Sequence, residues 1–249
     1  MGTMQWLKHF EASAQRPRNV AWSGGVALDP HVREPVIASL QTFQRGLTSP
    51  GINLRTKVHK SCTPEYAQCV DLYVAEKAMH ADLLMRLLWD AGSEPSSRQW
   101  TDFLFRHLRR RFDWARELVV LLTVEMAAVP FFRILANNVP DPALRRVLEI
   151  ILEDQAYHLG FHIDHLREAM EGRSGVERLA LQQLSAAMFG STLAIVIADH
   201  RALFEALGYD KLKYWTDAWN LFAQVQTGLH GSQHLAAVLG RDPRLKFAL

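Results

Sequence analysis

Polar side chains stand at helical spacing on three stretches of the 249-residue sequence whose predicted inward faces are otherwise largely apolar. Residues three or four apart share one face of a helix, so each stretch places its polar groups on a single face. The residues concerned are Tyr73, Lys77 and His80 in the first stretch, Glu125 in the second, and Gln155, His158, His162 and His165 in the third. Lysine, glutamate and histidine often transfer protons in catalysis, which makes acid–base chemistry the first interpretation.

Glu125 is the residue that most needs an explanation, because it is the one carboxylate in a long apolar run. A carboxylate buried there without a partner would cost several kcal/mol. We therefore expect Glu125 to face a cation, a metal ion or a hydrogen-bond donor, and Lys77 to lie opposite it across the interior. Glu76 and Asp154 each precede a histidine of this set by four residues, where a carboxylate can orient the imidazole.

Each of these groups also has a structural interpretation. Buried histidines such as His162 and His165 are usually core residues whose hydrogen bonds are satisfied within the protein. Lys77 and Glu125 can form a buried ion pair with no other role. The coincidence of polar groups at the middle of three predicted helices nevertheless favours a site, because helix bundles build ligand sites from inward side chains on several helices.

Prolines and glycines divide the sequence into long segments, most of which have the period of an amphipathic helix. The first predicted helix begins at Asp29-Pro30 or at Glu34-Pro35, either of which suits an N-cap followed by proline, and ends at about residue 48. The others cover about residues 63–91, starting at Thr63-Pro64, 101–138, as one helix or as two pieces with a kink at Pro130, 141–171, capped by Asp141-Pro142, 176–207 and 211–239. No segment has convincing strand-like alternation, so the predicted class is all-α, and the helix lengths favour an antiparallel bundle. We expect an irregular N-terminal segment over 1–28 and one helical domain over 29–249, with a four-helix core at about 29–172 and added helices at about 176–239.

Charge and composition argue against two classes of partner. The formal net charge is +2, from 28 Lys+Arg and 26 Asp+Glu, so no strong field attracts nucleic acid or an anionic membrane surface. The longest apolar run, Val119–Phe132, is too short to cross a bilayer, and the N-terminus lacks the apolar core of a signal peptide. Cys62 and Cys69 stand too far apart on a helix for a disulfide. These features predict a soluble, cytoplasmic protein with a small-molecule partner. Apolar stripes on the last two predicted helices are compatible with a homodimer.

Four segments resemble the ferritin-like superfamily, whose four-helix bundles hold two iron or manganese ions with carboxylates. Glu76–Leu84 resembles the second-helix motif E-E-x-x-H-A-x-L-L, and Asp154–His158 resembles the fourth-helix motif D-E-x-x-H. Ser39–Leu47 is similar to a first-helix pattern that ends in Gly-Glu, and Glu125 matches the third-helix Glu. The resemblance covers residues 29–172 and implies a ferritin-like bundle.

The resemblance also implies that the metal site is degenerate. Where the family pattern has carboxylate ligands, this chain has Leu47, Lys77 and Gln155. A two-metal site needs anionic oxygen ligands to hold two cations about 4 Å apart, and Lys77 would add a positive charge there. We therefore expect no two-metal centre and no resident cofactor.

Three functions are compatible with this pattern. The first is metal-independent acid–base chemistry, such as cyclisation, isomerisation or elimination, on a small and largely apolar molecule. Its proton-transfer groups would be Lys77, His80, Glu125 and His158, and its substrate-lining groups Leu47, Tyr73, Gln155 and His162. The second is a mononuclear oxidase or oxygenase, in which His80, Glu125 and His158 hold one iron or manganese ion. The third is a non-catalytic binding or scaffold subunit. The retained ionisable groups favour the first, because a scaffold would be freer to fill this space with Leu and Phe.

Overall fold

The computed structural model describes residues 1–22, 24–48, 51–95 and 114–230, and within these ranges it contains helices and turns but no strand. The predicted all-α class is therefore confirmed, while the ferritin-like arrangement of the helices stays a prediction. In chain order the helices are α1 (Thr3–Gln15), α2 (Pro30–Leu47), α3 (Ile52–Ser61), α4 (Pro64–Asp90), α5 (Trp114–Asn138), α6 (Pro142–Met170), α7 (Gly175–Asp199), α8 (Arg201–Ala206) and α9 (Lys211–His230).

The chain divides into two compact units. Unit 1 comprises Met1–Trp114 together with Val139–Val147, and unit 2 comprises Ala115–Asn138 together with Leu148–Leu249. Unit 1 is therefore discontinuous in sequence, because α6 begins in it and continues into unit 2.

Three helices begin where the sequence predicts, at a capping residue followed by proline. Asp29, Thr63 and Asp141 each accept a hydrogen bond from a backbone N–H two or three residues further on. A side-chain oxygen at this position satisfies one of the N–H groups that the first helical turn leaves without a partner. Proline fits the next position because its missing N–H is not needed there.

The prediction of an irregular N-terminal segment over 1–28 is wrong for α1. Trp6, Leu7 and Phe10 are buried on one face of this helix, which contacts α4. These apolar residues recur at helical spacing, and burying them against α4 stabilises a helix that is too short to persist alone. Packing against α4 also explains α3, which lies between two of the predicted helices and which buries Leu54 and Val58.

The helix predicted over 176–207 is interrupted at His200, where the backbone leaves the helical region (φ −106°, ψ 19°) between α7 and α8. The His200 ring is buried and lies 4.5 Å from the Phe131 ring. Two parts of the predicted helices, residues 101–113 and 231–239, lie outside the described residues.

In unit 1, α4 is the central helix and α1, α2 and α3 all contact it. The short segment that starts α6 belongs to this unit through two long-range hydrogen bonds. Asp141 Oδ2 accepts from the backbone N–H of Ala27 at 2.9 Å, and Arg146 Nε donates to the carbonyl of Asn19 at 3.4 Å. Residues far apart in sequence therefore complete one packed unit.

The core of unit 2 contains a cluster of aromatic rings from different helices. Phe131 on α5, Phe204 on α8 and Tyr214 on α9 have ring centroids 5.4–6.4 Å apart. The Tyr214 hydroxyl donates a hydrogen bond to the carbonyl of Ala127 at 3.0 Å. Burial raises the pKa of Tyr214 far above its ordinary value, so the hydroxyl stays protonated as a donor.

Among the described residues, two helical stretches, Arg116–Asn138 and Gly175–Asp199, are long and apolar enough to cross a membrane by length and composition. In the first, 83% of the apolar window is buried inside the protein, as in the core helix of a soluble protein, whereas in the second the buried share is 28%. The run Val119–Phe132, which is too short by itself to cross a bilayer, lies inside the first of these stretches. The cytoplasmic localisation stays a prediction.

Candidate functional site

A buried carboxylate–imidazole pair joins α5 to α6 within unit 2. Glu125 Oε1 lies 3.5 Å from His158 Nδ1, and the two side chains are 2% and 0% exposed. The distance is that of an ion pair if the imidazole is protonated, and it is too long for a strong hydrogen bond. Glu125 therefore has beside it the kind of partner that its apolar surroundings require.

The buried face of α6 carries several more polar side chains. The set, each member at most 3% exposed, is Asp154, Gln155, His158, His162 and His165. Their intervals of one, three and four residues place them on neighbouring positions of one helix face, and their burial confirms that this face points inward. Few helices of water-soluble proteins bury so many polar groups, because each must be compensated by a hydrogen bond or a charge.

Gln155 carries its amide on this buried face. Its Oε1 atom is buried and accepts no hydrogen bond from the residues that the structure describes. An amide oxygen left in this state costs about 1–3 kcal/mol. Because Gln155 precedes His158 by three residues on the same helix face, its oxygen can accept a hydrogen bond from a molecule bound beside the Glu125–His158 pair.

His165 and His200 are core histidines, which agrees with the structural interpretation given for His165. Burial lowers the pKa of each ring to about 4, so both are neutral at pH 7. His165 Nδ1 lies 2.9 Å from the carbonyl oxygen of Phe161, which fixes the proton on Nδ1 as the donor. Neither ring is a candidate for proton transfer near neutral pH.

In unit 1, Glu76 is held by two residues that the sequence analysis missed. Glu76 Oε1 accepts hydrogen bonds from Ser13 Oγ at 2.5 Å and from Arg18 Nη2 at 2.7 Å, and Arg18 also donates to Ser13 at 3.0 Å. The Arg18 and Glu76 side chains are 11% and 7% exposed. No local signal could have found this cluster, because its members come from α1, the segment after it and α4.

The other predicted residues of α4 are buried to different extents. Tyr73 and His80 are 3% and 0% exposed, as the predicted inward stripe requires. Lys77, between them on the same stripe, is only half-buried. A long lysine side chain can bury its methylene groups while its ammonium stays near water, so Lys77 is not the fully buried charge that the stripe predicts.

Leu47, the substrate-lining residue predicted on the first helix, is also less buried than expected. Leu47 is half-buried at the end of α2, whereas Gln44 is a buried polar residue of that helix, at 4% exposure. Gln44 follows Val36 and Leu40 at intervals of four residues, so the helical period of the sequence contained the signal that it faces inward.

The predicted site residues are divided between the two units. Leu47, Tyr73, Lys77 and His80 belong to unit 1, and Glu125, Gln155, His158 and His162 belong to unit 2. Among them the structure brings Glu125 and His158 together. The pairing of Lys77 with Glu125 stays a prediction.

At the positions where the ferritin-like resemblance would place carboxylate ligands, Leu47 offers no donor, Lys77 is a cation and Gln155 is a neutral amide. Within the described ranges, no group of three or more His, Cys, Asp and Glu side chains is arranged to hold a metal ion. The metal content of the protein stays a prediction.

A small cleft in unit 2 lies along the same two helices. Its volume is about 20 Å³, which is room for about one water molecule. Its lining is mainly apolar, with polar groups among it: Val119, Leu166, Met170, Arg178, Leu181, Gln182, Ser185, Gln226 and Leu229. Val119 precedes Glu125 by six residues and Leu166 follows His158 by eight, which places them roughly two turns, about 10 Å, further along α5 and α6. The cleft is therefore separate from the pair and too small for an organic ligand.

Comparison of the chain with protein-family models, with curated proteins and with solved structures finds no match. The ferritin-like resemblance therefore rests on the sequence motifs and stays a prediction. The candidate site is defined by its own chemistry: the buried Glu125–His158 pair with the amide of Gln155 one helical turn away.

Proposed function

We propose that this protein catalyses metal-independent acid–base chemistry on a small, largely apolar organic molecule, by cyclisation, isomerisation or elimination. The single observation that carries the proposal is the buried Glu125–His158 pair, with 3.5 Å between Oε1 and Nδ1. Acid–base catalysis needs a group that can take up and return a proton in a site from which water is excluded, and a buried imidazole beside a carboxylate meets that need.

The roles of the three residues follow from their chemistry. His158 accepts a proton from the substrate, and the Glu125 carboxylate stabilises the imidazolium that forms. Return of the proton to a different atom of the substrate gives an isomerisation, which consumes no oxidant or reductant. Gln155 orients the substrate by accepting a hydrogen bond from one of its N–H or O–H groups. Lys77 and His80 stay in the proposal as further proton-transfer groups on the basis of the sequence alone.

The energetic cost of the pair supports a role beyond packing. Replacing buried ionisable side chains that face each other by apolar side chains of similar volume is often neutral or stabilising. The apolar residues on either side of Glu125 show that α5 readily accommodates such side chains. A purely structural α5–α6 contact would therefore gain little from keeping a carboxylate and an imidazole.

Exchange of substrate protons with solvent provides the test. The purified protein is incubated in D₂O with a panel of small apolar ketones, and deuterium incorporation is followed by NMR and mass spectrometry. We expect exchange above background for at least one ketone, and a loss of about 10²–10⁴-fold in His158→Asn and in Glu125→Gln. The matched control is His165→Asn, which removes a buried histidine of the same helix and retains the exchange.

Three results would contradict the proposal. Exchange that is unchanged in both variants would remove the pair from the chemistry. Elemental analysis that finds one tightly held iron or manganese ion per chain, lost in both His80→Ala and His158→Ala, would favour the mononuclear oxidase or oxygenase. A correctly folded protein with neither exchange nor metal would favour the scaffold subunit.

A further inference from the structure

The outward face of α7 is apolar and uncharged over four turns. Between Arg178 and Asp199 the sequence has no charged residue. Between Leu184 and Ala198, the side chains within about 60° of Ser191 on the helical wheel are Leu184, Ala187, Met188, Ser191, Ala194, Ile195 and Ala198, and each is half-buried or exposed. The opposite face of the same helix packs into unit 2 through Phe189 and Leu193, which are 0% exposed.

The order of large and small residues on this face is self-complementary about Ser191. If two copies of α7 pack antiparallel around a two-fold axis at Ser191, Leu184 lies level with Ala198 of the other copy. Ala187 then lies level with Ile195, and Met188 with Ala194. Every level sets one large side chain beside one small side chain, which is how helix interfaces fill space without voids. A parallel pair would instead place large against large and small against small.

We infer that α7 is the interface of a homodimer, in which two copies of this chain pack these faces antiparallel around a two-fold axis at Ser191. The Ser191 hydroxyl is compatible with a dry interface, because it donates its hydrogen bond to the carbonyl of Ala187 within the same helix at 2.9 Å. Burying Ser191 in the interface therefore leaves no hydrogen-bond donor without an acceptor.

Aromatic side chains of α9 extend the apolar surface beside the proposed interface. Gly190 adjoins Ser191, and a Cβ atom at Gly190 would lie 3.6 Å from Trp219 Cζ2. Trp215 and Trp219 are half-buried, with ring centroids 6.2 Å apart. A stable interface buries about 800 Å² per protomer, more than one short helix face supplies, and tryptophan is enriched in such interfaces.

Sedimentation velocity on the full-length protein tests the inference. We expect a species of twice the 28.3 kDa chain mass. Ser191→Arg places two like charges against each other at the axis, and we expect it to raise the dissociation constant by at least about 100-fold. The matched control is Leu179→Arg, a charge at an exposed apolar residue of the same helix that lies off this face.

A volume swap tests the antiparallel register itself. Met188→Ala and Ala194→Met should each weaken the dimer, while the double variant restores it, because the level that these residues share again holds one large and one small side chain. Circular dichroism confirms that each variant folds. A monomeric wild type overturns the inference, as does a dimer that Ser191→Arg leaves intact or a double variant weaker than either single variant. A monomer that co-sediments with phosphatidylcholine vesicles overturns it in favour of a membrane surface.

Discussion

Acidification should destabilise unit 2 through two of its buried histidines, His165 and His200, and His200 allows the clearest measurement. Burial lowers the pKa of His200 from 6.5 to about 4 in the folded protein, whereas the unfolded chain keeps the ordinary value. Above pH 6.5 both states are neutral and the group has no effect. Between pH 6.5 and pH 4 the unfolded state binds a proton that the folded state does not, so the free energy of unfolding falls as the pH falls.

The size of this effect follows from the two pKa values. Each pKa unit of difference corresponds to about 1.4 kcal/mol, so His200 removes roughly 3 kcal/mol of stability between pH 7 and pH 4. This is a large fraction of the 5–15 kcal/mol that is typical of a folded domain. His165, whose pKa is also lowered to about 4, should contribute a similar loss.

Urea denaturation at pH 7 and at pH 4 measures the effect in His200→Phe, which keeps a ring beside Phe131 but cannot bind a proton. We expect the variant to lose roughly 3 kcal/mol less than the wild type over this interval, whatever its stability at pH 7. The control is Phe204→Leu, a buried and uncharged neighbour in the same aromatic cluster, which should change stability equally at both values of pH. Equal pH dependence in His200→Phe and the wild type would refute the reasoning.

Two further predictions concern unit 1. Arg18→Met should lower the free energy of unfolding by about 3–5 kcal/mol, because it removes the guanidinium that faces the buried Glu76 carboxylate. Adding Glu76→Gln should recover part of this loss in urea denaturation, and no recovery would show that the ion pair is not the cause. Asp141→Ala should lower the free energy of unfolding by about 1–3 kcal/mol, because it removes both the cap of α6 and the acceptor for the Ala27 N–H. Asp141→Asn should lower it by less. Equal melting temperatures for the wild type and Asp141→Ala would contradict this prediction.

The sequence predicted the helix positions wherever the signal was local. Asp29, Thr63 and Asp141 each combine a capping side chain with a following proline, and the helices begin there. The N-terminal helix was missed because its stability comes from Trp6 and Phe10 packing on α4, a tertiary contact that no local signal reports. Propensity alone is a weak guide for such short helices.

In the candidate site, too, local spacing predicted some features and missed others. The 3.6-residue period correctly predicted that His80, Glu125, Gln155 and His158 are buried, because the period decides which face of a helix points inward. The partners of these groups were harder to predict. Arg18 and Glu76 are 58 positions apart in the chain, and such a pairing depends on how the helices pack rather than on spacing.

The discontinuity of unit 1 has a consequence for synthesis of the chain on the ribosome. The Ala27 N–H receives its acceptor only when Asp141 has been made, and at about 5–20 residues per second that is roughly 6 to 23 s later. During this interval α1–α4 can associate, but the segment that closes the unit is missing, and α5 is synthesised before it. Folding from the N-terminus onwards cannot finish one unit before the next begins, so slow translation of residues 115–138 would prolong the time for which unit 1 is incomplete and open to chaperones or proteases.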